Sequence, residues 1–108
     1  MRRGDIVTVA MQGDYGKPRP AVVIQSDWLG ETDSVLVCLC TSTPRDAPFH
    51  RRTVEPTPDH GLQVVSQIMV DKIMAVRRDK CGAPIGRLDD IAMLVLNRML
   101  ALVVGLAD

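Results

Sequence analysis

The segment from Ile91 to Val104 is apolar along almost its whole length, with one asparagine and one arginine as its only polar residues. Asp89 or Asp90 can cap a helix at its start, and Gly105 suits the position just after its end. At about 1.5 Å per residue this helix spans about 21 Å, which is short of a bilayer. A helix that is apolar nearly all round must be buried on most sides, and a chain of 108 residues can hardly surround it. The sequence therefore predicts that part of the helix meets a partner subunit.

Ahead of this helix, runs rich in β-branched residues alternate with turn residues, which is typical of strands. The segment Ser34–Thr41 is apolar on both faces and is expected to be a central strand. The polar stretch Asp27–Asp33 can hold a brief helical turn. The expected strands are Ile6–Met11, Pro20–Ser26, Ser34–Thr41, Arg52–Glu55 and Ser66–Val76. The sequence thus predicts a single domain over residues 1–108, mainly β with α (α+β), in which five to seven strands form a small β-barrel with a C-terminal helix.

The charges of the chain cancel, with 13 basic and 13 acidic side chains. Proteins that bind nucleic acid through bulk charge are normally basic, so a nucleic-acid site here must be a local patch. The densest basic run holds Arg45, His50, Arg51 and Arg52 in a proline-rich stretch. This run can track phosphates or form a solvated loop, and the sequence leaves both interpretations open.

The cysteines indicate a reducing compartment. Cys38 and Cys40 lie on one face of a strand, where such neighbours rarely form a disulfide, and their spacing does not match a zinc site. We expect buried, reduced thiols in a cytoplasmic protein. No cluster of acidic or histidine ligands is recognisable, so neither a metal nor another cofactor is expected. The apolar run Ile6–Met11 is too short for a signal peptide or a membrane span, and no membrane partner is expected.

Six short motifs follow one another along nearly the whole chain. They are Arg3–Val7 (RGDIV), the glycine loop Gly13–Lys17, Arg19–Ile24 (RPAVVI), Cys40–Ser42 (CTS), Met69–Ile73 (MVDKI) and Ile85–Leu88 (IGRL). Each motif is weak alone, but the ordered set is specific. It resembles the MazF/PemK toxins.

The resemblance implies a CcdB-type, SH3-like barrel and a cytoplasmic toxin of a toxin–antitoxin pair. Toxins of this family are homodimeric endoribonucleases that cut single-stranded RNA at short motifs and are bound by a cognate antitoxin. By motif position, the family's catalytic arginine falls on Arg19, its threonine on Thr41, and the acidic residue of some members on Asp71. The chain departs from the family's pattern at Lys72 and Met74, where glutamine and arginine are usual, and this leaves the cleavage motif open.

The three residue types suit metal-free cleavage of RNA, which carries its own nucleophile in the 2′-hydroxyl group. Arg19 can stabilise the crowded phosphorane with its fixed fork of donors. Thr41 can orient a phosphate oxygen or the 2′-hydroxyl, and Asp71 can accept the 2′ proton. The expected products are a 2′,3′-cyclic phosphate and a free 5′-hydroxyl. The further residues expected to contact RNA are Tyr15, Lys17, Ser42, Arg45 and Lys72.

Other interpretations remain open at this point. His50 and His60 could act as imidazole acid and base, but nothing in the sequence fixes their separation, so surface histidines are the better interpretation. The CcdB toxins share the fold and poison DNA gyrase by binding, without catalysis, and Gln25–Asp27 resembles a short piece of their sequence. A toxin that has become an inactive binding module is a third possibility. The set of Arg19, Thr41 and Asp71 favours the nuclease.

Overall fold

In the described parts of the chain, six antiparallel strands form one curled sheet, and one α-helix packs against one of its faces. The computed structural model describes residues 1–10, 17–59 and 61–108. The strands lie in the order β4-β5-β3-β2-β1-β6 across the sheet. The elements are β1 (Asp5–Ala10), β2 (Pro18–Val23), β3 (Ser34–Thr41), β4 (Arg51–Val54), β5 (Ser66–Arg77), β6 (Gly86–Arg87) and α1 (Asp90–Val103). The expected fold class is confirmed, with the sheet as a half-barrel of six strands.

Side chains on both faces of the sheet are buried, because successive residues of a strand point to opposite sides. On the helix face, Ile6 of β1 and Val22 of β2 join a core that Leu96 of α1 completes. On the opposite face, the neighbouring residues Val7 and Val23 belong to a second core. The helix-face core also holds Cys38, Cys40, Leu62, Ile68, Val70 and Leu88, and the opposite-face core Val9, Ala21, Val35, Val37 and Val76.

Helix α1 has the ends that the sequence predicts. The carboxylate of Asp89 accepts a hydrogen bond from the Ala92 N–H at 2.7 Å, and Gly105 has a φ of 83° just beyond the helix. Only Leu96 is fully buried within the helix, whereas Ile91 is 73% exposed and Leu94 52% exposed. One chain therefore leaves much of the apolar helix surface uncovered. No helix in the described parts of the chain is long and apolar enough to cross a membrane.

The strand bounds match the expectation closely for β3 and less closely for β2, which was expected to extend to Ser26. The strand ends at Val23 because the Gln25 side chain replaces a backbone partner, its Oε1 accepting the Leu36 N–H at 3.2 Å. The 3-10 turn at Asp27–Leu29 confirms the helical turn expected there. Strand β6 was not expected. It has only two residues, and its Arg87 lies 3.5 Å from Asp5 of β1.

Candidate functional site

The site is built where strands β2 and β3 separate. Their ladder runs from Val23 opposite Val37 to Ala21 opposite Leu39 and then stops. The Ile24 N–H donates to the Leu36 carbonyl of β3. Because every second residue of a strand turns its N–H to the same neighbour, the backbone nitrogens of Val22, Pro20 and Pro18 face β3 as well. Pro20 and Pro18 carry no N–H to donate.

Pro18 and Pro20 therefore end the pairing with β3, although both still pair with β1. The two strands can separate at this end of the sheet, and Arg19 lies between the prolines. Arg19, near the start of β2, and Thr41, at the end of β3, lie beyond the last β2–β3 pair, at the same end of these antiparallel strands. Thr41 is in turn paired with Gln67 of β5, and Gln67 with Thr53 of β4.

These four residues share the opposite face of the sheet, since paired residues of antiparallel strands point to the same side. We call them the polar row: Arg19, Thr41, Gln67 and Thr53. Arg19 is exposed and Thr41 is half-buried. The arginine and the threonine that the sequence singled out therefore lie on the same face and at the same end of the sheet.

The hydroxyl of Thr41 is oriented by the chain that follows it. Its Oγ1 accepts the Thr43 N–H at 3.1 Å, which uses the oxygen as an acceptor and leaves the hydroxyl proton available to a substrate. A hydroxyl in this state can donate to a phosphate oxygen. At the same end of the sheet, the guanidinium of Arg19 carries several donors and a fixed positive charge, which match the geometry of a phosphate group.

A groove of about 890 Å³ opens at the place where β2 and β3 separate, and of the polar row it is lined by Arg19 but not by Thr41, Gln67 or Thr53. Lys17, Arg19 and Ser42 line it, and all three were expected to contact the substrate. Its other lining residues combine hydroxyl and amide groups with apolar surface: Thr8, Pro18, Pro20, Cys40, Gly61, Leu62, Gln63, Val64, Ser66 and Ile85. Such a mixture suits a planar base attached to a charged backbone.

One wall of the groove depends on a glycine. Gly61 has a φ of 71°, a conformation that residues with side chains rarely adopt, and a Cβ there would overlap the carbonyl oxygen of Ile85. Ile85 itself is held to β1, because its N–H donates to the Ile6 carbonyl at 2.8 Å. The segment from Gly61 to Ser66 can therefore lie close against this part of the sheet.

No pattern in the sequence indicates the role of Gln67. Its side chain is 7% exposed and holds the backbone of Arg45, accepting the Arg45 N–H and donating to the Arg45 carbonyl, each at 3.0 Å. Arg45 and Arg51 were expected to form a basic patch, and the structure places both around this glutamine. A single buried polar residue in a strand has no sequence signature that would reveal its partners.

Asp71 and Lys72 lie where the β3–β5 register shifts. Between the pairs Cys38–Ile73 and Cys40–Ile68, one residue of β3 lies opposite four residues of β5, a bulge that contains both charges. The Oδ1 of Asp71 lies 3.5 Å from the Nδ1 of His50, and neither Asp71 nor Lys72 lines the groove. The structure thus brings Asp71 to a histidine that was expected to be a plain surface residue.

His50 is partly covered rather than fully exposed. Its side chain is 45% exposed, and its Nδ1 is buried without a hydrogen-bond partner among the described residues. Tyr15 and His60, which the sequence suggested as a stacking residue and a possible imidazole catalyst, lie outside the described residues, as does most of the glycine loop Gly13–Lys17.

The thiols near the site are not set up as nucleophiles. Burial raises the pKa of Cys38 to about 11, with a further rise from the charge of Asp71 and a smaller lowering from Arg3. Burial, and then the neighbouring Cys38, raises the pKa of Cys40 to about 12. Both are buried free thiols, as expected, whereas Cys81 is half-buried. Among the described residues, no group of three or more His, Cys, Asp or Glu side chains could hold a metal ion.

The fold and this site define a class of protein: a small half-barrel with a C-terminal helix and phosphate-suited side chains at one end of the sheet. Residues 2–104 match the family described as PemK-like, MazF-like toxin of type II toxin–antitoxin systems. A curated relative from Mycolicibacterium smegmatis, named a probable endoribonuclease MazF, is 44% identical over 108 residues, covering 99% of each chain.

Solved structures show the same fold at lower identity. An endoribonuclease in complex with its cognate antitoxin, from a mycobacterial species, has a TM-score of 0.79 at 22% identity, covering 98% of this chain and 96% of that one. The Mycobacterium tuberculosis toxin MazF-mt6 also has a TM-score of 0.79, at 19% identity, covering 94% and 96% of the two chains. The chain described here belongs to the PemK-like, MazF-like toxin family, which favours the toxin expectation over the CcdB alternative.

Proposed function

We propose that this chain is the toxin of a type II toxin–antitoxin pair and an endoribonuclease that cuts single-stranded RNA, including mRNA, without a metal. Such cleavage would inhibit translation and growth. Family membership and the 44% identical relative named a probable endoribonuclease support the activity. The single observation in this chain that carries it is the groove lined by Lys17, Arg19 and Ser42, at the end of β2 and β3 where Arg19 and Thr41 lie.

In this mechanism the 2′-hydroxyl of RNA attacks the adjacent phosphorus while the bond from phosphorus to the 5′ oxygen breaks. Negative charge builds up on the phosphorane oxygens, and Arg19 stabilises it with parallel N–H donors. Thr41 donates its hydroxyl proton to one of these oxygens, since its own oxygen is already occupied by the Thr43 N–H. The attack leaves a 2′,3′-cyclic phosphate, and the departing 5′ oxygen takes up a proton to become a hydroxyl.

Asp71 is the proposed acceptor of the 2′ proton, on the strength of its place in the family motif. The structure adds that its Oδ1 lies 3.5 Å from the Nδ1 of His50 and outside the groove lining, so the proposed role requires RNA to reach beyond the groove to Asp71. Replacing Asp71 by asparagine keeps the side-chain length and removes the charge. An unchanged cleavage rate in that variant would remove Asp71 from the mechanism.

RNA is proposed to lie along the groove with its phosphates toward the basic residues. Lys17 and Ser42 line the groove itself, and Arg45 lies on the loop next to it. Lys72 and Tyr15 are two further proposed RNA contacts, on the strength of the sequence motifs that contain them. Neutral net charge makes a local patch of this kind necessary.

The antitoxin is proposed to be an acidic, partly disordered segment that folds over the basic run Arg45–Arg52 and the groove, blocking RNA. RNA cleavage that persists at saturating antitoxin would exclude this mode of inhibition.

The chain is proposed to act as a homodimer in the cytoplasm, where mRNA is available and where its three free thiols would stay reduced. Fractionation of cells that express the toxin would test the compartment.

The variant Arg19→Ala tests the proposed chemistry. Removing a preorganised donor at a developing oxyanion typically costs about 10²–10³ in rate, so we expect a loss of this size in kcat on a single-stranded RNA. Arg19→Lys should restore little of it, because a point charge cannot reproduce two parallel hydrogen bonds. Folding should be unchanged in both variants, since Arg19 is exposed.

Arg77 offers a matched control at the other end of the sheet, where it is 72% exposed and pairs with Asp79 at 2.6 Å. Arg77→Ala removes the same charge from the same kind of surface and should leave the cleavage rate within about twofold of the wild type. Wild-type activity in Arg19→Ala would contradict the mechanism. Equal losses in both arginine variants would show that net charge, rather than the site, governs the rate.

A further inference from the structure

The carboxamide of Gln67 makes hydrogen bonds through both of its polar atoms. Its Oε1 accepts the Arg45 N–H at 3.0 Å and an Nη1–H of Arg51 at 3.3 Å. Its Nε2 donates to the Arg45 carbonyl at 3.0 Å and to the Thr53 hydroxyl at 3.3 Å. The amide therefore bonds both backbone groups of Arg45, in the loop after β3, much as a neighbouring strand would, although that loop forms no strand.

Two further bonds fix the residues between Thr41 and Arg45. Arg51, which is already held by Gln67, donates from Nη1 to the Thr43 carbonyl at 3.2 Å. The Thr43 N–H donates to the Thr41 hydroxyl at 3.1 Å. Both backbone groups of Thr43 and both of Arg45 are thus bonded, and Gln67 is paired directly with Thr41 in the sheet.

We infer that Gln67 is a positioning residue that holds the loop of residues 42–47 against the end of the sheet and thereby determines which RNA sequences are cut. This inference rests on the proposed ribonuclease function. Gln67 does not line the groove, so it acts through the loop and not by touching RNA. The loop presents Ser42, Arg45 and Asp46 to solvent next to the groove.

The chemistry of these exposed residues suits the reading of bases. Single-stranded RNA is recognised through hydrogen bonds to the edges of unstacked bases, which need donors and acceptors at fixed places. Ser42 offers both kinds of group, Arg45 offers donors and Asp46 offers acceptors. Such contacts discriminate between bases only if the loop that carries them keeps one conformation. The hydrogen bonds to the Gln67 amide supply that constraint.

The test compares sequence preference in variants of the whole chain. The cleavage motif is first mapped on a long RNA, and kcat/KM is then measured for one oligonucleotide with that motif and one with a single base changed. The ratio of the two values does not depend on how much enzyme is folded. Gln67→Met has a similar length and no amide, and we expect it to change this ratio about 10-fold or more, chiefly through KM, because small misplacements at a site are costly.

Gln67→Glu is the second variant and carries the test if the methionine variant does not fold. A glutamate keeps the acceptor oxygen for the Arg45 N–H and Arg51 but cannot donate to the Arg45 carbonyl. Its ratio should lie between those of the wild type and Gln67→Met. A ratio equal to the wild-type value in both variants would overturn the assignment of specificity to this residue.

Gln25 provides a matched control, because it is a second buried glutamine, 8% exposed, at the opposite end of the sheet. Its amide bonds the Thr32 hydroxyl at 2.9 Å and the Leu36 N–H at 3.2 Å, and so it fixes the loop between β2 and β3. Gln25→Met removes a comparable set of buried hydrogen bonds and should leave the kcat/KM ratio unchanged. A ratio that changes equally in both methionine variants would mean that general loosening of the fold alters specificity.

Amide hydrogen exchange tests the clamp without any RNA. In Gln67→Met the Arg45 amide should exchange at least about 10-fold faster, while in Gln25→Met the Leu36 amide should respond instead. Unchanged exchange at Arg45 in Gln67→Met would overturn the inference. If the wild-type chain cuts no RNA, the proposed function fails and the specificity assignment fails with it, whereas the exchange result still decides whether Gln67 holds the loop.

Discussion

Two prolines that alternate with Arg19 determine the geometry of the site. Pro18 and Pro20 keep β2 paired with β1, yet they present no N–H toward β3, so the ladder on that side stops at Ala21. The arginine between them lies on the rim of the groove that opens there. The same short run therefore supplies the charge and the gap into which a substrate can enter.

The buried thiols make the fold sensitive to high pH. Burial holds the pKa of Cys38 at about 11 and that of Cys40 at about 12, above the values near 9 that they have in an unfolded chain. Below pH 9 both states carry the protons, so this contribution is constant. Above pH 9 only the unfolded chain loses them, so the free energy of unfolding should fall as pH rises toward 11.

Each thiol that titrates only in the unfolded chain lowers the free energy of unfolding by about 1.4 kcal/mol per pH unit. Urea unfolding from pH 8 to pH 11 measures the slope, and a variant with valine in place of Cys38 and Cys40 provides the comparison, since the two chains differ only at these thiols. The variant should show the shallower slope. Identical slopes would contradict the account of these thiols.

At the level of single residues, the order of the motifs was enough to single out Arg19 and Thr41. That the two residues lie at the same end of the sheet depends on a strand register, which no local pattern specifies. The contact of His50 with Asp71 depends on the bulge in β5, which shifts the register and cannot be read from the sequence. The role of Gln67 was not predicted, because its four hydrogen bonds reach residues that lie 14 to 22 positions away along the chain.

At the level of elements, the most uniformly apolar segments were the easiest to predict. Strand β3 is apolar on both faces, and its observed bounds, Ser34–Thr41, are those expected from the sequence. Strand β2 was expected to reach Ser26, but the Gln25 side chain takes the place of a strand partner at the Leu36 N–H. Strand β6 has two residues and is held by contacts with β1, which a local pattern cannot show.

The helix α1 carries the prediction about assembly. Ile91 and Leu94 are 73% and 52% exposed and lie three residues apart, so they share one side of the helix. We expect a homodimer that covers this side, with a sedimentation mass of twice 11.8 kDa at micromolar concentration. Aspartate at both positions should shift the mass to that of a monomer, because a dimer would have to bury the added charges.

Leu29 is the control for this change, since it is 59% exposed and lies on the 3-10 turn Asp27–Leu29, outside the helix. Leu29→Asp should leave the dimer intact. A wild-type monomer would contradict the homodimer, and a dimer that survives both helix substitutions would show that subunits meet through another surface.

At the level of the whole molecule, one curled sheet keeps its two ends chemically different. The end where β2 and β3 separate carries the polar row, the groove and the loop held by Gln67. The other end carries the turn with Trp28, which is 97% exposed, and the pair of Arg77 with Asp79. Under the proposed function, Lys17, Arg19 and Arg45 are the basic residues that would meet RNA, and all three belong to the first of these ends.

The ends of the cleaved RNA test the central claim most directly. Purified wild-type chain is incubated with a long single-stranded RNA in the presence of EDTA, and the termini at each cut are identified chemically. Attack by the 2′-hydroxyl without a metal predicts cuts at one short recurring motif, each leaving a 2′,3′-cyclic phosphate and a 5′-hydroxyl. Cleavage that EDTA abolishes, or termini with a 5′-phosphate and a 3′-hydroxyl, would contradict the mechanism proposed for Arg19 and Thr41.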